Sequence, residues 1–286
     1  MEIKVLGTVS PYCKGAKNCP GYLVTNDQTK ILLDCGNGIT RNLKLPDDLE
    51  NLNIIISHLH KDHYGDLLSL GYATYVFHNL GYLQNRVKIY LPETIEKINS
   101  EAFYDCKNLE QISIPENTKF IESCAFKNCS SLTNIILPKS LEQIAPSTFE
   151  NCKNLTSIEL PKSVKSIDVN AFRNCASLEK IKFNSNLAVI KDYAFYKCTA
   201  LKQISLSDSV TELGIEVFAN CSTLEKVVLP NKITQISLSL FENCSSLVSV
   251  NIPNTVTEIG SSCFSGCTSL TEVSFNAENC RFVCIS

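Results

Sequence analysis

A cysteine recurs every 23 residues, at Cys106, Cys129, Cys152, Cys175, Cys198, Cys221, Cys244 and Cys267. The same interval carries a phenylalanine column from Phe103 through Phe126 and Phe149 to Phe264, and an unbroken leucine column from Leu109 through Leu132 to Leu270. A further apolar column runs Ile98, Ile121, Ile144, Ile167, Ile190, Leu213, Ile236 and Ile259. A unit this short is a single coil of chain that cannot bury its own apolar side, so neighbouring units have to stack.

Within each unit runs L-x-x-[IV]-x-[ILF], often followed by proline, as in Leu132, Ile135 and Leu137 before Pro138. Successive strand residues face opposite ways, which turns Ile158 and Leu160 inward and Ser157 and Glu159 outward. Successive strands can then pair into a parallel sheet, with proline ending each one. At ~4.8 Å per strand, eight coils predict a rod on the order of 40 Å long. The phenylalanine column is expected in the core, and the cysteine column is expected as small buried thiols at one corner of each coil. Pairing those sulfurs as disulfides would require alternate coils to differ, and no such alternation is present.

The unit Leu155-Thr-Ser-Ile158-Glu-Leu160-Pro161 through Val164, Ile167, Ala171, Phe172 and Cys175 resembles the BspA-type leucine-rich repeats. The resemblance covers residues from about 89 to 276 and implies a β-solenoid with 23-residue coils, about eight of them, in a family often found at the cell surface or secreted. After Phe275 the pattern decays.

Residues 51 to 66 are of a different kind: an apolar strand, Asn53 to Ser57, runs into His58-Leu-His60-Lys-Asp62-His63. With the strand extended through His60, His58 and His60 share a face, and a turn after Lys61 brings His63 back to them. Three imidazoles with an open fourth position form the pattern of a catalytic zinc site. Cys13, Cys19 and Cys35 are not at a strong metal spacing.

This segment, with Val5-Leu-Gly7-Thr-Val-Ser10-Pro11 and Ile31-Leu-Leu-Asp34-Cys-Gly36, resembles the metallo-β-lactamase superfamily, in particular its ribonuclease Z-like hydrolases. The resemblance implies an α/β composite: the N-terminal half of an αββα sandwich over 1–88, truncated, followed by the leucine-rich-repeat solenoid over 89–286. It also implies His58, His60 and His63 as ligands of a first metal, and Asp62 as a ligand of a second and the proton-transfer group. The family's later ligands are missing, and His78 stands too near the motif to supply one, so one zinc ion in a partial site is the expectation.

Val87-Lys-Ile89-Tyr-Leu91-Pro92 fits both patterns, because Ile89 and Leu91 sit one period before Ile112 and Ile114. The N-terminal unit is therefore expected to cap the first coil, since solenoid ends need covering. Deleting residues 1–86 should then lower the melting temperature or the solubility, as a melting curve of the shortened chain would show.

Charge adds exclusions. The 26 basic and 29 acidic residues give a net charge of -3 without a block of one sign, so neither nucleic acid nor an anionic membrane is implied as partner. No apolar run is long enough to span a bilayer, and the start lacks a secretory pattern, which points to the cytoplasm and to thiols for the fifteen cysteines.

Two functions compete. The first is a protein-binding scaffold, not an enzyme, presenting outward strand positions such as Ser113, Ile136, Glu159, Lys182, Ser205 and Asn251 to an unidentified protein. The second is a zinc-dependent hydrolase of a phosphodiester or other ester, with a metal-bound hydroxide as nucleophile. It would need ligands from elsewhere; Asp168, Asp192 and Asp208 are available but read as surface turn residues.

Overall fold

The computed structural model describes residues 2–7, 20–26, 29–36, 38–57, 88–91, 93–275 and 281–282. Across the repeat the backbone pairs with itself at the interval of the sequence. Ser157, Ile158 and Glu159 lie beside Lys180, Ile181 and Lys182, and Gln203 to Ser205 beside Lys226 to Val228, all in parallel. A second, shorter ladder runs along another side of each coil, joining Ile144, Ile167, Ile190 and Leu213 in turn. The result is a leucine-rich-repeat β-solenoid of about nine turns. The pairing also reaches past the point where the sequence pattern fades: Arg281 and Phe282 continue the second ladder beside Glu258 and Ile259.

Inside the coils the phenylalanines form one stack. Ring centroids from Phe103 to Phe264 are 5.2 to 5.9 Å apart, and adjacent planes tilt by 3 to 12°. One large ring per coil at a constant position fills the interior and sets the spacing of the turns. Next to it, each thiol from Cys129 to Cys267 donates to the backbone carbonyl of the phenylalanine 26 residues earlier, at 3.1 to 3.3 Å. Cysteine therefore does two things at this corner: it fits a small apolar space and ties one coil to the one before. These cysteines are all free thiols.

The corner itself has a backbone that no periodicity of hydrophobic residues reveals. Two residues per coil, four apart, have left-handed φ of about 60°, for example Asn170 at 58° and Asn174 at 59°, or Tyr193 at 59° and Lys197 at 60°. With the phenylalanine between them, their amides point to the following coil: Asn170, Phe172 and Asn174 donate to the carbonyls of Asp192, Ala194 and Tyr196. Asparagine tolerates this region better than most residues. It also links side chains along the row, Asn174 donating to Asn151 and Asn151 to Asn128.

Lys197 interrupts that row between Asn174 and Asn220. Lys197→Asn is expected to stabilise the chain by about 1 kcal/mol, by relieving left-handed strain and completing the row. Thermal melting should show a rise of a few degrees, and Lys197→Ala, which keeps the unfavourable φ, should show none.

The N-terminal residues form strands β1 (Glu2–Gly7), β2 (Gly21–Thr25), β3 (Lys30–Leu33), β4 (Leu52–Ile55) and β5 (Lys88–Tyr90). β1 and β2 are antiparallel, as are β2 and β3, and from β3 onward the pairing is parallel. β5 then pairs with Ile112–Ser113 of the next coil, Ile89 opposite Ile112, so one six-stranded sheet passes from the N-terminal unit into the solenoid. The inner face carries Leu23, Leu32, Leu52 and Ile54, covered by Ile39 and Leu49 of two short 3-10 helices (Ile39–Asn42 and Asp47–Leu49), and this core is continuous with that of the repeat. Gly21 makes room for Ile39, whose side chain occupies the place of a Cβ there.

The α/β composite expected from the sequence is not what the described residues show. They are nearly all sheet, with 3-10 segments as their helices, and no helical layer of an αββα half is present among them. The stretch on which a motif helix would fall, 58–87, lies outside the described residues.

Candidate functional site

The sheet face of the solenoid places the outward positions as the strand alternation requires. Ser113, Glu159, Ser205 and Asn251 are exposed beside buried neighbours, and Lys182 is exposed too. Ile136 is 74% exposed, the highest value among the large apolar residues described. Its coil departs from the ladder: Asn134 to Leu137 form no strand, although Ile135 and Leu137 fill their inward positions. A groove opens on each side of it. One, of about 500 Å³, is bordered by Tyr90, Ser113 and Ile136; the other, of about 750 Å³, by Ile136, Lys139, Glu159 and Lys182.

Chemistry along the face is uneven. Glu159 and Lys182 form an ion pair between adjacent coils, and Lys139 and Lys180 stand beside it. Toward the C-terminus the outward positions run Gln203, Ser205, Lys226, Val228, Ser249 and Asn251, mostly polar, with Val228, Val248 and Val273 as exposed apolar residues. No single chemistry repeats from coil to coil along the face.

At the other end of the sheet, β3 and β4 run side by side and stop together. Asp34, just after β3, has a φ of 60° and is largely buried; its carboxylate accepts from the Ser57 amide at 2.7 Å and the Ser57 hydroxyl at 2.9 Å. Ser57 immediately precedes His58, so this brace fixes where the strand hands over to the histidine segment. Asp34→Ala is expected to cost about 2 kcal/mol, because two bonds to a charge are lost from a shielded place. Hydrogen exchange of the 52–57 amides should accelerate in that variant, and unchanged protection would remove the role.

His58, His60, Asp62, His63 and His78 lie outside the described residues, as do Cys13 and Cys19. Among the described residues no group of three or more histidine, cysteine or acidic side chains could hold a metal ion. Cys35 is fully buried. The three aspartates considered as further ligands are engaged between coils: Asp168 with Lys191, Asp192 with the Ile215 amide, and Asp208 with the Asn231 amide, whose bond holds the Asp208 carboxyl below its usual range.

A cluster outside both expectations sits on the corner side. The Arg173 guanidinium lies 5.0 Å from the Tyr196 ring centre and 5.9 Å from that of Tyr193, and the two rings meet edge to face. Arg173 and Tyr196 are one period apart, which is the signal that would have found them. Nearby Glu216 pushes the Tyr193 hydroxyl above its usual pKa.

A family model described as BspA type Leucine rich repeat region matches residues 73–202 and 188–283, and one described as Anti-Pycsar protein Apyc1 matches residues 1–101. No curated protein matches the chain. The solved structure of a T. pallidum leucine rich repeat protein, TpLRR, is 23% identical with a TM-score of 0.50, covering 90% of this chain and 90% of that one. Pneumococcal vaccine antigen PcpA is 19% identical with a TM-score of 0.53, over 95% of this chain and 70% of its own. A leucine rich cell surface protein of Faecalibacterium prausnitzii is 21% identical over 94% and 96%, with a TM-score of 0.33, too loose to bear on the fold. The first two show the solenoid fold. No helix among the described residues is long and apolar enough to cross a membrane.

Proposed function

We propose that this chain, which belongs to the BspA type leucine rich repeat family, is a protein-binding scaffold whose partner lies on the sheet face from Glu159 toward Asn251. The observation that carries this reading is the face itself: stacked coils hold a long row of exposed, chemically varied side chains on rigid backbone, and extended repeat surfaces of this kind serve recognition. A photoreactive residue at Ser205 or Asn251 of the full chain is expected to cross-link a defined protein, and one at Glu150 or Glu242 on the corner side to give little. Equal yields from both sides would remove the reading.

A second reading concerns residues 1–88 as a truncated metallo-β-lactamase-like half-domain. The Asp34–Ser57 brace supports it, because it holds the start of a segment rich in metal-binding side chains. On this reading His58, His60, Asp62 and His63 form a partial zinc site, and full activity would be hydrolysis of a phosphodiester or other ester. The scaffold reading is preferred, since the repeat makes up most of the chain. Purified protein is accordingly expected to show no His60-dependent phosphodiesterase activity. Stoichiometric zinc lost in His60→Ala, together with such activity, would reverse the preference; zinc without turnover would mark a relic site.

A further inference from the structure

The sheet of the solenoid is interrupted at one coil. Ile112–Ser113 pairs with the strand before it and Ser157–Glu159 with the strand after it, while the main chain of Asn134 to Leu137 bonds to neither neighbour. The opening is confined to the strand. Just before it the Thr133 amide donates to the Glu110 carbonyl at 3.2 Å and the Thr156 amide to the Thr133 carbonyl at 3.2 Å, and the rings of Phe103, Phe126 and Phe149 keep their stack at 5.2 and 5.6 Å. The coils are tied at the corner and parted at the face, so the side of Ser157–Glu159 toward Ile136 is an open sheet edge within the solenoid. Unpaired N–H and C=O groups in such an edge are a template for an extended segment of another chain.

Charge says which segment. The groove of about 750 Å³ along this edge is lined by Ile136 and Ile181 and by Lys139, Lys180 and Lys182. Glu159 is the carboxylate that lines it, and Glu159 is taken up by Lys182. Lys139 and Lys180 are exposed and form no ion pair among the described residues. Of the acids close by, Glu116 accepts from the Lys139 amide at 3.2 Å, and exposed Glu179 stands next to Lys180 without lining the groove. The smaller groove on the other side of Ile136 has the opposite sign, with Glu93 and Glu116 and no lysine.

We propose that the larger groove docks an extended acidic segment of the partner protein. Ile135 and Leu137 stay buried and hold their coil in place, so the segment lies along the groove and does not replace the coil. Its main chain bonds to the unpaired groups at Asn134–Leu137 and Ser157–Glu159, one row of side chains rests on Ile136 and Ile181, and its carboxylates reach Lys139 and Lys180. Three residues of open edge span about 10 Å. One short segment fits there, with a dissociation constant on the order of 10 to 100 μM. The proposal rests on the scaffold reading for its premise that the occupant is a protein, and adds the chemistry of the segment held at the Glu159 end of the face.

A labelled octapeptide of alternating valine and glutamate, titrated with the full chain and followed by fluorescence anisotropy, should bind in that range, and its valine–lysine counterpart should bind at least tenfold more weakly. Methylating the peptide's amide nitrogens keeps its charge and is expected to weaken binding at least tenfold. Lys139→Glu and Lys180→Glu should each weaken it at least fivefold with an unchanged melting curve. Lys226→Glu makes the same change of charge two coils beyond Lys180 and should leave binding within twofold. No binding by the valine–glutamate peptide, equal binding of the valine–lysine or methylated peptide, or equal losses in Lys180→Glu and Lys226→Glu would overturn the proposal. Cross-links at Ser205 or Asn251 beside a peptide that does not bind would overturn it and leave the scaffold reading standing.

Discussion

Raising the pH from about 8 to about 10.5 is expected to unfold the chain cooperatively, because its buried thiols keep their protons and the unfolded chain's do not. Burial pushes Cys106, Cys198 and Cys263 up to about 12 from an ordinary 9.0. It raises Cys129, Cys152, Cys175, Cys221 and Cys244 as well, helped at most of them by the neighbouring thiols of the column. The sign follows from proton counts. Above 9.0 the unfolded state binds fewer protons than the native state, so stability is whole below that pH and falls as the pH climbs. Each such thiol removes about 1.4 kcal/mol at pH 10, and eight of them together remove on the order of 10 kcal/mol, comparable to the whole stability of a typical domain. Circular dichroism against pH in a reducing buffer measures the transition. Cys198→Ala supplies the internal check: its cost relative to wild type should shrink by about 1.4 kcal/mol between neutral pH and pH 10, since one proton has left the balance. Equal stability at pH 7 and pH 10 would refute the account.

The column of cysteines that produces this effect was legible from the sequence, and so were the rings beside it, because a fixed interval of 23 states which side chains recur at one place. The same interval named the strand shared by both units: Ile89 pairs with Ile112 as their spacing requires. What periodicity does not encode is backbone conformation. The left-handed pairs at the corners carry Asn174, Lys197, Tyr193 and Glu216 alike, and only the repeated Asn-Cys step at 128–129, 151–152, 174–175, 220–221 and 243–244 hinted at one of them. The thiol-to-carbonyl bonds were hidden for a similar reason, since burial alone accounts for a small residue at that corner. Nor does the sequence of the Ile136 coil, which fits the pattern at Leu132, Ile135 and Leu137, betray its missing strand; nothing in the structure explains that gap.

The N-terminal unit has no internal repeat to mark its positions. Asp34 stands at a strand end, as its motif implied, and its bond to Ser57 shows why a carboxylate belongs there. The outward positions of β3 and β4 are partly apolar, since Ile31, Leu33 and Ile55 stand beside the inward Leu32 and Ile54, and the alternation there does not separate an inner from an outer face as it does in the repeat. A strand greasy on both sides states that two layers must cover it, and not which they are.

Phe172→Ala tests the stack that all of this depends on. Phe172 is fully buried, its ring 5.4 Å from that of Phe149 and 5.2 Å from that of Phe195. Truncation removes a large apolar side chain, leaves a cavity that rigid coils on both sides cannot close, and breaks two ring contacts, for a cost of about 4 kcal/mol. Phe264 provides the comparison. It is only partly buried and has Phe241 as its ring neighbour at 5.9 Å, so Phe264→Ala should cost less than half as much. Phe172→Leu keeps most of the volume and loses the ring contacts, and is expected to cost about 1–2 kcal/mol. In a stacked array each coil is held by its neighbours alone, so Phe172→Ala should raise hydrogen exchange most in the coils around 149–195 and least at the ends. Denaturant unfolding and exchange by mass spectrometry measure both quantities. A cost for Phe172→Ala no greater than for Phe264→Ala would mean that the rings line up without holding the coils together.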